Sequence, residues 1–197
     1  MLSAIFAGLV AVAAAAPTGT VLEKRQTPTC SALGSVETTI NDVSYNLTGP
    51  FTLIMNAPSL KQNGFYAHAG YPSIYTTIIF DVGPARKAEN ATEFYLDENN
   101  VLTTLYNGTV FYADDVSPVY DGNLDDSNVV ISETPTNNVT CTIDSSCATT
   151  CQSAGATYNC LGDPTFQPDW RIASEESKAG GGCIPFTITT DPGSASS

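Results

Sequence analysis

The chain contains little of the chemistry on which common hydrolase mechanisms rely. It has one histidine, His68, and no Gly-x-Ser-x-Gly turn. Any Ser-His-Asp or Cys-His mechanism would therefore have to use this single imidazole. His68 lies between two alanines in a predicted strand, which favours a structural or surface role. We expect no catalytic residue and no cofactor.

Basic residues are also scarce. Seven Lys and Arg face 20 Asp and Glu among 197 residues, which gives a formal net charge of −13. Such a surface repels nucleic acid and anionic lipid, whereas it favours solubility and contact with cations or basic partners. We expect neither a nucleic-acid partner nor a membrane partner.

Long apolar runs are missing outside the N-terminus. Residues 2–16 are apolar, end in the small-residue pattern Ala14-x-Ala16, and are followed by the dibasic pair Lys24-Arg25. The run is too short for a confident membrane span and is typical of a secretory signal. We predict a signal peptide over 1–16, a pro-segment over 17–25, and one secreted β-rich domain over 26–197. The small, polar C-terminal tail lacks the hydrophobic ending of a glycolipid-anchor signal.

Six cysteines lie in the predicted secreted region. An even number in an exported chain predicts disulfides, and six cysteines allow 15 pairings. A thiolate metal site is disfavoured because the sequence has no Cys-x-x-Cys pair. The Trp170 segment is predicted to be a strand returning beside its neighbour, which favours a bridge between the two cysteines that flank it, Cys160 and Cys183. The full set is Cys30, Cys141, Cys147, Cys151, Cys160 and Cys183.

Four Asn-x-Ser/Thr sequons occur, none with proline in the middle position. If they carry glycans, the asparagines must lie on the surface. Chance occurrence is the alternative in a chain rich in Asn and Thr. The sequons are at Asn46, Asn90, Asn107 and Asn138.

Short β-branched and aromatic runs separated by Gly, Pro and Asn predict an all-β fold, a single antiparallel β-sandwich or barrel-like domain. Residues 93–113 form a predicted three-stranded meander, with a polar turn at 97–100 and a tight turn at Asn107-Gly108. Further strands are predicted over 36–40, 51–56, 64–69, 74–81, 129–132, 158–161, 170–174 and 186–190.

The segment near residues 145–154 carries a Ser that suits a helix N-cap and ends near Gly155. We predict a short, disulfide-stapled helix there. Cys147 and Cys151 would share one helix face. Side chains so placed run parallel rather than converge, so each cysteine is expected to bond to a different neighbouring segment.

Two acidic patterns have alternative interpretations. Asp121, Asn123 and Asp125 alternate like the ligands of a calcium loop, but Asp126 replaces the turn glycine and Ser132 the bidentate glutamate; an acidic turn is the alternative. Carboxylate doublets elsewhere place adjacent side chains on opposite faces of a strand. A glycosidase would therefore need two carboxylates from separate loops.

Tyrosines are the candidate sugar-binding residues. Exposed aromatic faces beside polar groups suit carbohydrate, although aromatics in strands also serve as core. The candidates are Tyr66, Tyr71, Tyr75, Tyr106, Tyr112 and Tyr120. We assign potential carbohydrate contact to the first three.

Four segments of the chain follow one another as residues 94–104 (FYLDENNVLTT), 158–160 (YNC), 170–173 (WRIA) and 183–186 (CIPF). In this order they resemble the fungal cell wall protein PhiA family. The similarity spans about the last two-thirds of the chain, and Cys141, Cys147 and Cys151 depart from the family pattern. It implies a non-catalytic glycoprotein of the wall and extracellular matrix.

We therefore expect a secreted, N-glycosylated, monomeric protein of the fungal cell wall or matrix. Its expected partners are wall polysaccharide or another extracellular protein. The alternatives are a carbohydrate-active hydrolase and a lectin-like or host-directed effector module.

Overall fold

The computed structural model describes residues 30, 33–40, 42–60, 64–72, 80–116, 127–162, 169–175 and 183–193. Their strands form one antiparallel sheet that curls into a half-barrel, which confirms the all-β fold class. The strands are β1 Ser35–Ile40, β2 Val43–Asn56, β3 Phe65–Pro72, β4 Phe80–Ala85, β5 Phe94–Leu96, β6 Leu102–Tyr106, β7 Thr109–Val116, β8 Ser127–Ser132, β9 Thr140–Ile143, β10 Ala148–Gln152, β11 Tyr158–Leu161, β12 Trp170–Ala173, β13 Ile184–Pro185 and β14 Thr187–Asp191.

Strand β2 organises the sheet because its 14 residues pair with β1, β3, β5 and β14. Its register with β5 shifts between Thr48 and Phe51. Gly49 lies inside this irregularity with φ 144°, and a Cβ there would approach the Phe94 carbonyl oxygen to 2.9 Å. Glycine is therefore required where β2 changes register.

Backbone pairings between strands form a circuit that starts and ends on β2. It passes in turn through β3, β4, β8, β7, β6 and β5. The strands on this path curl around one apolar cluster. Trp170 is fully buried, donates its indole N–H to Asn159 Oδ1 at 2.9 Å, and packs edge-on against Phe186. Other core side chains are Phe51, Leu53, Met55, Val82, Phe94, Leu102, Phe111, Ile131 and Ile172.

The predicted meander over 93–113 is confirmed as β5, β6 and β7. In the turn between β5 and β6, Asp97 Oδ1 accepts from the N–H groups of Asn99 (2.9 Å) and Val101 (2.7 Å). Asn100 takes the left-handed conformation at φ 62°. Asparagine tolerates that conformation well, so the sequence encodes this turn locally.

The helix predicted near residues 145–154 is wrong. Residues 145–146 are a turn, and β10, Ala148–Gln152, pairs antiparallel with β9. Asp144 Oδ1 accepts from the N–H groups of Ser146 (2.8 Å) and Ala148 (3.0 Å), and Cys147 lies at φ 70°. This arrangement repeats that of Asp97 and Asn100, and the serine taken for an N-cap belongs to the turn.

All six cysteines are paired, and each bridge joins different segments. Cys141 and Cys151 lie directly opposite each other in the β9–β10 ladder and form one bridge. Cys147 instead bonds to Cys30, 117 residues away in sequence. The prediction that Cys147 and Cys151 reach different partners is confirmed, although they do so from a hairpin. The third bridge, Cys160–Cys183, is also the predicted one.

Several predictions fall outside the described residues and stay predictions. They are the signal peptide (1–16), the pro-segment (17–25) and the three calcium candidates Asp121, Asn123 and Asp125. No helix within the described segments is long and apolar enough to cross a membrane.

The loop between β8 and β9 is anchored on Asp114, which is 3% exposed. Its Oδ1 accepts from the N–H groups of Thr136 (3.0 Å) and Asn137 (2.7 Å). Asp114→Ala would leave two backbone donors without their charged acceptor, and we expect a loss of about 2 kcal/mol in the free energy of unfolding. Denaturant unfolding with the disulfides intact measures it.

Glu133→Ala is the matched control, because it removes an exposed carboxylate from the same loop. The control should change stability by less than about 0.5 kcal/mol. Equal effects of the two substitutions would show that the buried hydrogen bonds do not hold the loop.

The pKa of Asp144 lies below its usual value, chiefly because the Ser146 hydroxyl donates to the carboxylate at 2.6 Å. The turn's stabilisation is thus present above the unfolded-state pKa and is lost as pH falls through the lower folded-state pKa. We expect Ser146→Ala to raise this pKa, measured by carboxyl-carbon NMR. Ser145→Ala, which removes an adjacent exposed hydroxyl, should leave it in place.

Candidate functional site

A cleft of about 290 Å³ lies against one side of the half-barrel. Strands β3, β5, β6 and β8 contribute to it, together with the segment that precedes β5. Its lining mixes aromatic, aliphatic and polar side chains, as the binding sites of small ligands do. The lining residues are Ala69, Thr92, Glu93, Tyr95, Thr104, Leu105, Tyr106 and Ile131.

Hydrogen bonds to threonine hold the walls of the cleft together. Thr92 accepts from the Ala69 N–H through its side-chain oxygen at 2.8 Å, and its own N–H donates to the Ala67 carbonyl at 3.0 Å. Thr104 donates its hydroxyl to the Glu93 carbonyl at 2.8 Å. These contacts tie the segment before β5 to both β3 and β6, so the cleft is a feature of the folded sheet.

Tyr106 stands at the rim of the cleft with 51% of its surface exposed. Its ring meets that of Phe111 edge-on, with centroids 6.0 Å apart and planes at 84°. Because Phe111 belongs to the core, the contact positions an exposed aromatic ring. An aromatic surface held in this way suits the apolar face of a sugar.

Tyr95 gives the cleft a buried phenol. Burial raises the pKa of Tyr95 above its usual value, and the nearby negative charge of Glu93 raises it further. The phenol therefore stays protonated at neutral and mildly alkaline pH. It remains a neutral hydrogen-bonding group beside an exposed carboxylate.

Among the described lining residues, Glu93 alone carries a carboxylate. A two-carboxylate glycosidase site in this cleft would need its second acid from outside that set. Nor do three or more metal-ligating side chains come together anywhere in the described segments. The described lining is equipped to bind a neutral polar ring by stacking and hydrogen bonding.

Of the tyrosines considered from sequence, Tyr106 lines the cleft, whereas the described lining does not include Tyr66. Tyr66 is half-buried on β3 opposite Ile54 and Ala85, and it is not among the lining residues. The Tyr71 backbone pairs with Asp81, and Tyr75 lies outside the described residues. Sequence reasoning did not single out Tyr95 because its strand appears as core; its proximity to Glu93, two residues away on the same strand face, was the available signal.

His68 lies on β3 opposite Gly83 and is half-buried. It is not among the residues that line the cleft. The imidazole therefore lies outside the described lining of the candidate site.

The four sequon asparagines are all exposed. Asn46 lies on β2, Asn90 ends a short 3₁₀ turn, and Asn107 occupies the turn between β6 and β7. Asn138 lies in the loop anchored by Asp114. Four separate parts of the surface therefore present an acceptor asparagine to solvent.

No family model matches the chain, and no curated protein or solved structure matches it either.

The raised pKa of Tyr95 predicts a pH effect. The folded state holds the phenol proton more tightly, so the associated stability is complete below the unfolded-state pKa and is lost as pH rises toward the folded-state pKa. Glu93→Gln should lower this pKa but leave it above the usual tyrosine value, because burial is the larger cause. NMR titration of Cζ-labelled tyrosine measures it.

Glu98→Gln serves as the control, because it removes an exposed carboxylate from the turn after β5. It should shift the Tyr95 titration less than Glu93→Gln does. An unchanged curve in the Glu93 variant would contradict the assigned contribution of that carboxylate.

Proposed function

We propose that this chain is a secreted, N-glycosylated, non-catalytic protein of the fungal cell wall or extracellular matrix. The observation that carries the proposal is the exposure of Asn46, Asn90, Asn107 and Asn138, each within a sequon, on a fold stapled by three disulfides. An asparagine that carries a glycan must lie on the protein surface. Each of these four asparagines faces solvent.

The disulfides support an extracellular setting. Cys30–Cys147 closes a span of 117 residues, and a bridge of that length removes about 4–5 kcal/mol of chain entropy from the unfolded state in the loop-closure model. Such bonds persist in oxidising compartments. The apolar N-terminus with its Ala14-x-Ala16 pattern supports the same route.

A binding role is favoured over hydrolysis by the described cleft. It offers a protonated phenol, Tyr95, and a single carboxylate, Glu93. Hydrogen bonding holds a saccharide without cleaving it, whereas hydrolysis needs a second, facing acid. Wall polysaccharide is therefore the partner that we propose.

The test is expression with the native N-terminus in a filamentous fungus, followed by mass spectrometry of the secreted product. We expect an N-terminus at residue 26 and glycans on at least two of the four asparagines. The purified protein should be retained on chitin, β-glucan or isolated wall and should release no reducing sugar from them. Intracellular retention with unmodified asparagines would overturn the proposal.

Two variants examine where polysaccharide binds. Tyr95→Phe removes only the hydroxyl of a tyrosine that lines the cleft, and Tyr66→Phe removes the hydroxyl of a tyrosine that is not in the described lining. We expect Tyr95→Phe alone to weaken wall retention, by about threefold to tenfold for one lost hydrogen bond. Release of sugar from any polymer would instead favour the hydrolase alternative.

A further inference from the structure

The turn between β6 and β7 is also a sequon with a tyrosine in front of it. Asn107 and Gly108 have φ values of 50° and 76°, and Tyr106 lies directly opposite Thr109 in the ladder. Two left-handed residues between paired neighbours make a tight type I′ turn, the conformation that Asn-Gly favours. The acceptor asparagine, the sequon threonine and an exposed ring thus share four consecutive residues.

The turn brings these groups to one place. In a regular strand, neighbouring side chains point to opposite faces, so an aromatic residue just before an asparagine would be separated from its glycan. The left-handed backbone at Asn107 and Gly108 breaks this alternation. Tyr106 and Thr109 form a cross-strand pair on one face, with Cβ atoms about 5 Å apart, and Asn107 follows Tyr106 directly.

We propose that the first N-acetylglucosamine on Asn107 lies over the Tyr106 ring and against Thr109, at the rim of the cleft. The inference rests on the proposed N-glycosylation. A pyranose has a face of C–H groups, and the π face of an aromatic ring is negative, so the two attract each other as apolar surface leaves water. Tyr106 offers the surface, with 51% of it exposed, and Phe111 holds its ring.

The other sequons lack this arrangement. Asn46 also follows a tyrosine, Tyr45, but both lie within β2, so their side chains alternate across the strand. Tyr45 is half-buried and shares a hydrogen bond with Tyr112. Asn90 and Asn138 follow Glu89 and Asn137. The glycan on Asn107 is therefore the one that forms part of the folded surface, and it shields Tyr106 from free polysaccharide.

A double-mutant cycle tests the contact. Asn107→Asp removes the acceptor but keeps a residue that tolerates the left-handed turn, and Tyr106→Thr removes the ring but keeps a strand former. All glycans are trimmed enzymatically to one N-acetylglucosamine. We expect Asn107→Asp to lower Tm by about 2–4 °C when Tyr106 is present and by less than about 1 °C in the Tyr106→Thr chain.

Asn46→Asp is the matched control, because its sequon also follows a tyrosine. Its effect on Tm should be the same with and without Tyr106. Intact-mass analysis establishes occupancy first: an unmodified Asn107 beside glycosylated Asn46, Asn90 or Asn138 overturns this inference and leaves the proposed function standing. If Asn107 is glycosylated but Asn107→Asp lowers Tm equally with and without Tyr106, this inference is overturned and the proposed function again stands.

NMR of protein carrying isotope-labelled N-acetylglucosamine provides a direct reading. The proposal predicts upfield ring-current shifts for sugar protons at Asn107 and cross-relaxation to the Tyr106 ring, both absent in Tyr106→Thr. Wall retention tests whether a free polysaccharide, rather than the Asn107 glycan, contacts the Tyr106 ring. If Tyr106→Thr lowered retention equally in the glycosylated and Asn107→Asp proteins, the ring would serve a free polysaccharide and the inference would be wrong.

Discussion

Backbone pairing along β2 is the constraint on which the rest of the structure depends. This strand pairs with β1, β3, β5 and β14, and the circuit of pairings that surrounds the core begins and ends on it. Its second half buries Phe51, Leu53 and Met55 in the cluster that also contains Trp170. The register shift near Gly49 allows one strand to satisfy these different neighbours, and a side chain at that position would collide with the β5 backbone.

The disulfides secure parts of the sheet with few strand neighbours. Strand β9 is at one end of the main sheet order and β13 at the other. Cys141–Cys151 locks β9 to β10, and Cys160–Cys183 ties β11 to the chain just before β13. Short terminal strands bury little apolar surface, so covalent bonds replace the missing packing. This distribution suits a protein of the extracellular space, where chaperones and reductants are scarce.

Tight turns shape much of the surface. Their backbone N–H groups donate hydrogen bonds to backbone carbonyls or to aspartate side chains. Asp97 and Asp144 build two turns of the same kind, and Asp114 anchors the loop that carries Asn138. The Asn107 turn adds an exposed aromatic at the rim of the cleft. Sequon asparagines thus lie on locally ordered backbone, and the cleft opens beside one of them. A glycan on Asn107, as proposed, would lie beside the cleft, which connects the proposed function with the proposed contact at Tyr106.

Sequence by itself determined the all-β class, the meander over 93–113, most core strands and the presence of disulfides, because alternation, Asn-Gly turns and cysteine number are local signals. Prediction from sequence failed at residues 145–154. There Asp144 and the left-handed Cys147 form a hairpin turn, and the sequence of this turn resembles a helix-capping pattern. Sequence could not place Tyr66 outside the cleft and Tyr95 inside it. Only tertiary structure decided this, because the cleft is lined by β3, β5, β6 and β8. Pairings between strands distant in sequence, such as β2 with β5 and β4 with β8, bring these strands together, and no local pattern specifies them.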